Sequence, residues 1–296
     1  MGAVAGDRVR LRAFTKVNYA LEVWGVRPDG YHDIRSVMQS VSLADEVEIE
    51  RGGKGFELLV EPEGTEIGPP EKNTVYRAWA VLREMTGEDL PVRVRLRKRI
   101  PAGAGLAGGS ADAAAALAGL NAMFDLRLDE RDLRGLGVRI GADVPFCLTG
   151  GTALGEGVGE ALTALPAPPA HYLVVAKPER SADTGAVYRL HDELAAEPGS
   201  SVRPVVEALW DGDVAALARS AGNDLAPVTE KLVPEVKVCR EHLLELGALG
   251  AGMTSSGTAV CGIFATEVEA TAAAGRISVP FIGVCGPVGT GVEVLP

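Results

Sequence analysis

The sequence predicts an α+β fold, and three observations carry that expectation. Stretches of period two and helical stretches are mixed along the chain, without the strict strand–helix alternation of a parallel α/β sheet. Val92-Arg93-Val94-Arg95-Leu96-Arg97 alternates apolar and charged side chains, so one face of that strand meets water, as in antiparallel sheets. At 296 residues, 47% hydrophobic and 23% charged, the chain is long enough for two modest domains with sizeable cores. Aromatic residues make up only 5%, so those cores must rest on Leu, Val, Ile and Ala.

Residues 8–24 alternate enough for one or two strands, ended by the turn Arg27-Pro28-Asp29-Gly30. Ser36 to Ser42 and Val47 to Glu50 are expected strands, and the polar, Gly- and Pro-rich residues 61–72 an expected loop. Thr74 to Thr86 reads as a helix and Val92 to Ile100 as a strand; a glycine-rich loop, an alanine-rich helix and a short helix over Leu128 to Leu136 follow. Leu165-Pro166-Ala167-Pro168-Pro169 has linker composition. Beyond it come a strand at Tyr172–Ala176 and helical stretches at 184–195, 203–220 and 229–246. A cluster of small residues from Gly247 to Gly257, a strand at Ala259–Phe264, a helix near Glu267–Ala274 and closing strands complete the chain.

A net charge of −11 argues against a nucleic-acid or membrane-surface binder. The basic run from Arg93 to Arg99 is a local exception: either the solvated face of a strand, or positive potential beside bound phosphates. Cys147, Cys239, Cys261 and Cys285 form no C-x-x-C pair, and their mostly apolar neighbours suggest buried free thiols in a reducing compartment. There is no signal-peptide pattern, no apolar run near the roughly 18 residues that span a bilayer, and Gly6 stands where a myristoylation signal needs Ser or Thr. A soluble, cytoplasmic protein is expected.

The most informative stretch is Pro101-Ala102-Gly103-Ala104-Gly105-Leu106-Ala107-Gly108-Gly109-Ser110-Ala111-Asp112, followed by Ala113 to Ala116. Glycines let backbone N–H groups converge on an anion, and a helix start adds unpaired N–H groups and a positive dipole end. Ser110 and Asp112 are candidate helix caps. Gly103, Gly105 and Gly108 satisfy the dinucleotide spacing G-x-G-x-x-G, but the half-wet strand in front is not the doubly buried strand of that motif. Gly109 occupies the position where a P-loop needs lysine. A third kind of phosphate loop is required.

Lys16 and Asn18 lie in an otherwise apolar strand, and period two puts both on one face, with Val17 and Tyr19 on the other. Either this is an edge strand with one polar face, or Lys16 points into a cleft where its charge steadies a phosphate or a carboxylate. Asp143 sits among apolar neighbours in Ile140-Gly141-Ala142-Asp143-Val144-Pro145-Phe146, where an unpaired carboxylate is costly. Pro145 biases Val144 toward an extended conformation and puts Asp143 at an element boundary, as a turn or cap residue or as a catalytic one. A lysine–aspartate pair beside a phosphate loop would suit phosphoryl transfer, the carboxylate taking the hydroxyl proton. Tyr31-His32, read alone, is a pair flanking a turn.

The order Lys16…Asn18, Gly30-Tyr31-His32, Pro101…Ser110, Gly141-Ala142-Asp143-Val144-Pro145 and Thr254-Ser255-Ser256-Gly257-Thr258 resembles the GHMP kinases over nearly the whole chain. The resemblance implies a two-domain α+β fold with the active-site cleft between the domains. Residues 1–163 would form the ATP-binding N-terminal domain and residues 164–296 the substrate-side C-terminal domain. It implies ATP and Mg²⁺ as cofactors and a small-molecule substrate carrying a cytidine diphosphate group. The loop Pro101–Ala111 would wrap the ATP phosphates, with Ser110 near phosphate or metal, and Asn73 and Lys98 would line the adenine side. Asp143 would be the general base with Lys16 as its cationic partner, and Asn18 would help hold the substrate. Tyr31 and His32 would form the cytidine pocket, with Tyr188 as the second stacking ring. Two departures stand out: Ser110-Ala111 replaces a common pair of serines, and Ser255 replaces a usual glycine, which is costly if that position needs positive φ.

Overall fold

A computed structural model describes residues 7–62, 69–194, 197–199 and 201–296. Met1–Gly6, residues 63–68 of the expected 61–72 loop and the end of the expected 184–195 helix therefore lie outside the described residues. The elements of the first half are β1 (Arg8–Val26), β2 (His32–Arg51), β3 (Phe56–Glu61), α1 (Thr74–Thr86), β4 (Val92–Arg97), α2 (Gly108–Met123), α3 (Glu130–Val138), α4 (Val144–Thr149), β5 (Thr152–Glu156) and β6 (Ala161–Ala164). The second half has β7 (Tyr172–Lys177), α5 (Thr184–Glu193), α6 (Val202–Asp211), α7 (Val214–Ser220), β8 (Gly222–Asn223) and α8 (Ala226–Leu232). It ends with α9 (Glu235–Glu245), β9 (Gly250–Met253), β10 (Val260–Phe264), α10 (Glu267–Ala274), β11 (Phe281–Cys285) and β12 (Val292–Leu295).

Two sheets organise the described residues. The larger has the order β12-β1-β2-β4-β3, with β5 on β2, β6 on β5 and the short β8 parallel to β1. The smaller has the order β11-β7-β10-β9. The fold class is α+β, as expected. The chain's last strand returns to pair with β1 in the larger sheet, Arg10 opposite Leu295 and Ala13 opposite Val292.

The hairpin of β1 and β2 joins the two halves. Val9, Leu11 and Ala13 enter the core under α1 and α2, whereas Val17, Tyr19 and Ala20, and then Leu21 and Val23, enter the two cores around the smaller sheet. Lys16 sits where β1 passes from one core to the next. β1 is a single strand, one of the two readings its pattern allows, and β2 is continuous rather than the two strands its pattern suggests. Register shifts between Phe14 and Lys16, Asn18 and Ala20, and Val23 and Gly25 disturb the strict alternation that reads as a strand. β1 has neighbours on both sides, so it is not an edge strand.

α2 is buried almost all round, which explains its composition. A Cβ at Gly119 would come within 2.7 Å of Ile49 Cδ1 and 2.9 Å of Leu11 Cδ1, so the helix lies against the sheet as closely as small residues allow. The expected helices 203–220 and 229–246 are each two helices, interrupted at Gly212, which has φ 66°, and ahead of Pro234. The short strands β3, β5, β6, β8 and β9 carry too little periodicity to be read locally.

Candidate functional site

Lys16 is 2% exposed, and its Nζ lies 3.6 Å from Asp143 Oδ2, whose side chain is 33% exposed. Asp143 occupies the N-cap position of α4 but makes no side-chain cap bond, so its carboxylate is left for the cleft. Val144 and Pro145 form the first turn of α4, so the proline does not hold Val144 extended; proline is tolerated there because the first N–H groups of a helix have no partner to lose. Lys16 Nζ also donates to Asn18 Oδ1 at 2.9 Å. The Thr254 hydroxyl donates to the same oxygen at 2.9 Å and accepts from the Asn18 N–H at 3.1 Å. Asn18 Nδ2 donates to Ser36 Oγ at 2.6 Å, and Ser36 donates to the Ala20 carbonyl at 2.8 Å. Lys16 and Asn18 are thus held by partners far away in sequence, of which Ser36 carried no sequence signal.

The glycine loop is clamped between β1 and the Thr254–Thr258 segment. Lys16 N–H donates to the Leu106 carbonyl at 3.4 Å, and Ala259 N–H to the Ala104 carbonyl at 3.0 Å. Ala104 and Leu106 are buried, while Ala102, Gly103 and Gly109 are exposed. Gly105 has φ 74°, and a Cβ there would sit 2.4 Å from the Thr254 carbonyl, so only glycine fits. Neither Ser110 nor Asp112 caps α2: the N-cap is Ala107, with φ 56°, and both residues lie inside the helix. The N–H groups of Gly108, Gly109 and Ser110 meet no protein acceptor among the described residues, leaving a cradle of donors at the positive end of a helix. Such a cradle fits phosphate. The Ser110 hydroxyl lies 3.8 Å from where a Cβ on Gly141 would be, which puts the loop beside the Asp143 segment.

Asn73 and Lys98 stand behind this loop with their polar ends engaged. Asn73 Oδ1 accepts the Val75 N–H at 2.8 Å and caps α1, and the Thr74 hydroxyl donates to the Gly109 carbonyl at 2.6 Å. Lys98 bridges Asp45 and Asp112, 2.6 Å from the latter. Asp45 also accepts the Ile100 N–H at 2.8 Å and the Arg99 N–H, whereas Asp112 Oδ1 has no hydrogen-bond partner among the described residues. Burial, offset in part by Lys98 and reinforced by Asp45, pushes Asp112 up from the usual carboxyl value of 3.8 to about 8. Arg93, Arg97 and Arg99 pair with Glu57, Glu61 and Glu46 at 2.9, 2.8 and 2.7 Å. The basic run is therefore the solvated, paired face of a sheet.

On the other side of Lys16 a cavity of about 480 Å³ is lined by Asn18, Asp143, Tyr31, His32 and Tyr188, among others. The His32 and Tyr188 rings lie 4.6 Å apart at 32°, and Tyr31 stands at the rim, 64% exposed. His32 Nε2 lies 2.8 Å from Asp192 Oδ1. Burial, and then the charge of Asp143, push the Tyr188 phenol up to about 12. Ser255 lines the same cavity with φ 52°, the strained conformation in which glycine is favoured. Asn223 Nδ2 braces it, donating to the Met253 and Ser255 carbonyls at 2.9 and 2.8 Å. The structure thus joins Lys16, Asn18, Asp143, Tyr31, His32 and Tyr188 in one cavity, with the glycine loop adjoining it through Leu106 and Thr254.

Among the described residues no three His, Cys, Asp or Glu side chains could together hold a metal, and Ser110 carries the only side-chain oxygen between Pro101 and Ala111. The four cysteines are free and buried. Burial raises their thiols, which disfavours the reactive thiolate. No helix among the described residues is long and apolar enough to cross a membrane.

The GHMP kinases N terminal domain family matches residues 73–151, and the GHMP kinases C terminal family matches residues 205–281. A 4-diphosphocytidyl-2-C-methyl-D-erythritol kinase of Caldicellulosiruptor bescii is 41% identical over 271 residues, 92% of this chain and 94% of the relative. One of Moorella thermoacetica is 43% identical over 278 residues, 92% of this chain and 95% of the relative. A crystal structure of 4-(cytidine 5'-diphospho)-2C-methyl-D-erythritol kinase superposes with a TM-score of 0.79 at 35% identity, covering 94% of this chain and 99% of that one.

Proposed function

The chain belongs to the GHMP kinases, and within that family we propose that it phosphorylates the 2-hydroxyl of 4-diphosphocytidyl-2-C-methyl-D-erythritol with ATP. The reaction would be a cytoplasmic step of non-mevalonate isoprenoid precursor synthesis. The observation that carries this reading is the Lys16–Asp143 pair facing the cavity that also holds the His32–Tyr188 ring pair. One end of that cavity suits a hydroxyl to be activated, and the other suits a flat base to be stacked.

Asp143 takes the proton of the attacking hydroxyl as its oxygen bonds to the γ-phosphorus, while the bond to the bridging oxygen breaks and ADP leaves. Lys16 holds the carboxylate in place and offsets charge as it develops. Asn18, locked by Thr254 and Ser36, fixes the acceptor end of the substrate. The open N–H groups of Gly108, Gly109 and Ser110 in the Pro101–Ala111 loop bind the ATP phosphates. Asn73 and Lys98, expected on the adenine side, brace the loop from behind through α1 and through Asp45 and Asp112. Mg²⁺ is typically held by phosphate oxygens and one or two protein ligands, so Ser110 suits it without a preformed cage. Residues 1–163 supply the ATP side, and residues 164–296 close the cytidine side with Tyr188.

The test is ADP release with Mg-ATP, comparing the cytidyl substrate with mevalonate, homoserine and galactose. Turnover with the cytidyl substrate alone is the expected result. Turnover with another alcohol would keep the catalytic pair and overturn the cytidine pocket; binding without any turnover would overturn the enzyme.

A further inference from the structure

The imidazole of His32 is held by a carboxylate at the wall of the same cavity. Asp192, on the last turn of α5, places Oδ1 at 2.8 Å from His32 Nε2. A carboxylate only accepts hydrogen bonds, so Nε2 must carry the ring proton. In the neutral ring Nδ1 is then left with a lone pair, and among the described residues it makes no hydrogen bond. Stacking on Tyr188 at 4.6 Å limits the ring's freedom to turn over, and His32 lines the cavity.

From this geometry we propose that Asp192 is the positioning residue that makes the pocket read cytosine rather than uracil. The inference rests on the cytidyl reading above and adds the means of selection. With Nε2–H committed to Asp192, His32 presents an acceptor to the base. Cytosine offers its exocyclic N4 amine, a donor; uracil has a carbonyl oxygen at that position, and two acceptors would face each other. Reversing the tautomer would reverse the preference. The other histidine near Asp192 is His191, whose Nδ1 lies 3.9 Å from the same Oδ1, beyond hydrogen-bond reach, so the carboxylate serves His32.

The test uses the full chain in two measurements. Ring ¹⁵N–¹H spectra at about pH 8.5, where imidazoles are neutral, report the tautomer of each histidine. The chain has only four histidines, and His32→Ala identifies the signal. Kinetics then compare the cytidyl substrate with its uridyl analogue in wild type, Asp192→Ala, His32→Ala and the double variant. The expected result is an Nε2–H ring in wild type and mixed tautomers in Asp192→Ala. That variant should raise KM for the cytidyl substrate about tenfold, with a smaller change in kcat, and its cytidyl-to-uridyl preference should fall about tenfold. Because Asp192 acts through His32, adding Asp192→Ala to His32→Ala should change the preference no further. An Nδ1–H ring in wild type, an unchanged preference in Asp192→Ala, or additive losses would overturn the proposal. Failure of wild type to turn over the cytidyl substrate would instead overturn the functional reading, and the proposed selection with it.

Discussion

Lys16 and Lys98 are both buried cations facing carboxylates, one at the head of the cavity and the other behind the glycine loop. Lys98 is paired twice: it bridges Asp45 and Asp112, whose side chains are 0% and 4% exposed. Among the described residues Lys16 has a single carboxylate, 3.6 Å away and 33% exposed, and spends a second contact on a neutral amide. The difference teaches how one charge pair serves two ends. Around Lys98 two buried acids face one cation, and burial pushes Asp112 up toward its protonated form. Around Lys16 the acid is half free, and its open side faces the space where a hydroxyl would arrive. A pair proposed for chemistry is left incomplete here, and the one behind the loop is closed.

The comparison breaks most visibly at Asp143. Asp143→Asn keeps the volume and removes the base, so kcat should fall about a thousandfold while the melting temperature stays near wild type. Lys16→Met should behave in the same way. Full turnover in either variant would remove that residue from the chemistry. Lys98→Met should do the reverse, stranding two buried acids at a cost of about 3–5 kcal/mol and lowering Tm by roughly 10 °C. Loss of turnover with an unchanged Tm would put Lys98 on the chemical side of the comparison.

A subtler test follows the proton on Asp112. Its folded-state value is raised from 3.8 to about 8, so between those limits the folded chain holds a proton that the unfolded chain releases. Stability from this group is fully present below about pH 4 and is lost as pH rises through about 8. Asp112→Asn should flatten that fall in a series of urea melts across pH 4 to 8; an unchanged slope would assign the excess proton elsewhere. The smallest effect is expected at Ser255. Ser255→Gly relieves its φ of 52° and should add about 1 kcal/mol, read as a rise of roughly 2 °C in Tm.

Much of this was legible along the chain because it is local. The extents of α1 and α10, the glycine loop and the turn before Tyr31 follow from period, capping and glycine alone. Asn73 caps α1 and Thr266 caps α10, with side chains two and three residues from their targets. The cap expected at α2 failed because Ala107 takes positive φ and starts the helix earlier than Ser110 or Asp112 would. Asp45 reads as a break between two strands, yet it is a buried ion-pair partner inside one continuous strand.

By itself, the sequence determined the α+β class, the glycine-rich loop and the residue types of the candidate site, since each depends on neighbours within a few positions. The tertiary structure alone decided which charges meet. Asp45 reaches Lys98 across 53 positions, Asp192 reaches His32 across 160, and Thr254 reaches Asn18 across 236. Periodicity carries no information over such separations; burial does, because a polar group taken out of water must find its partner wherever the fold has put one.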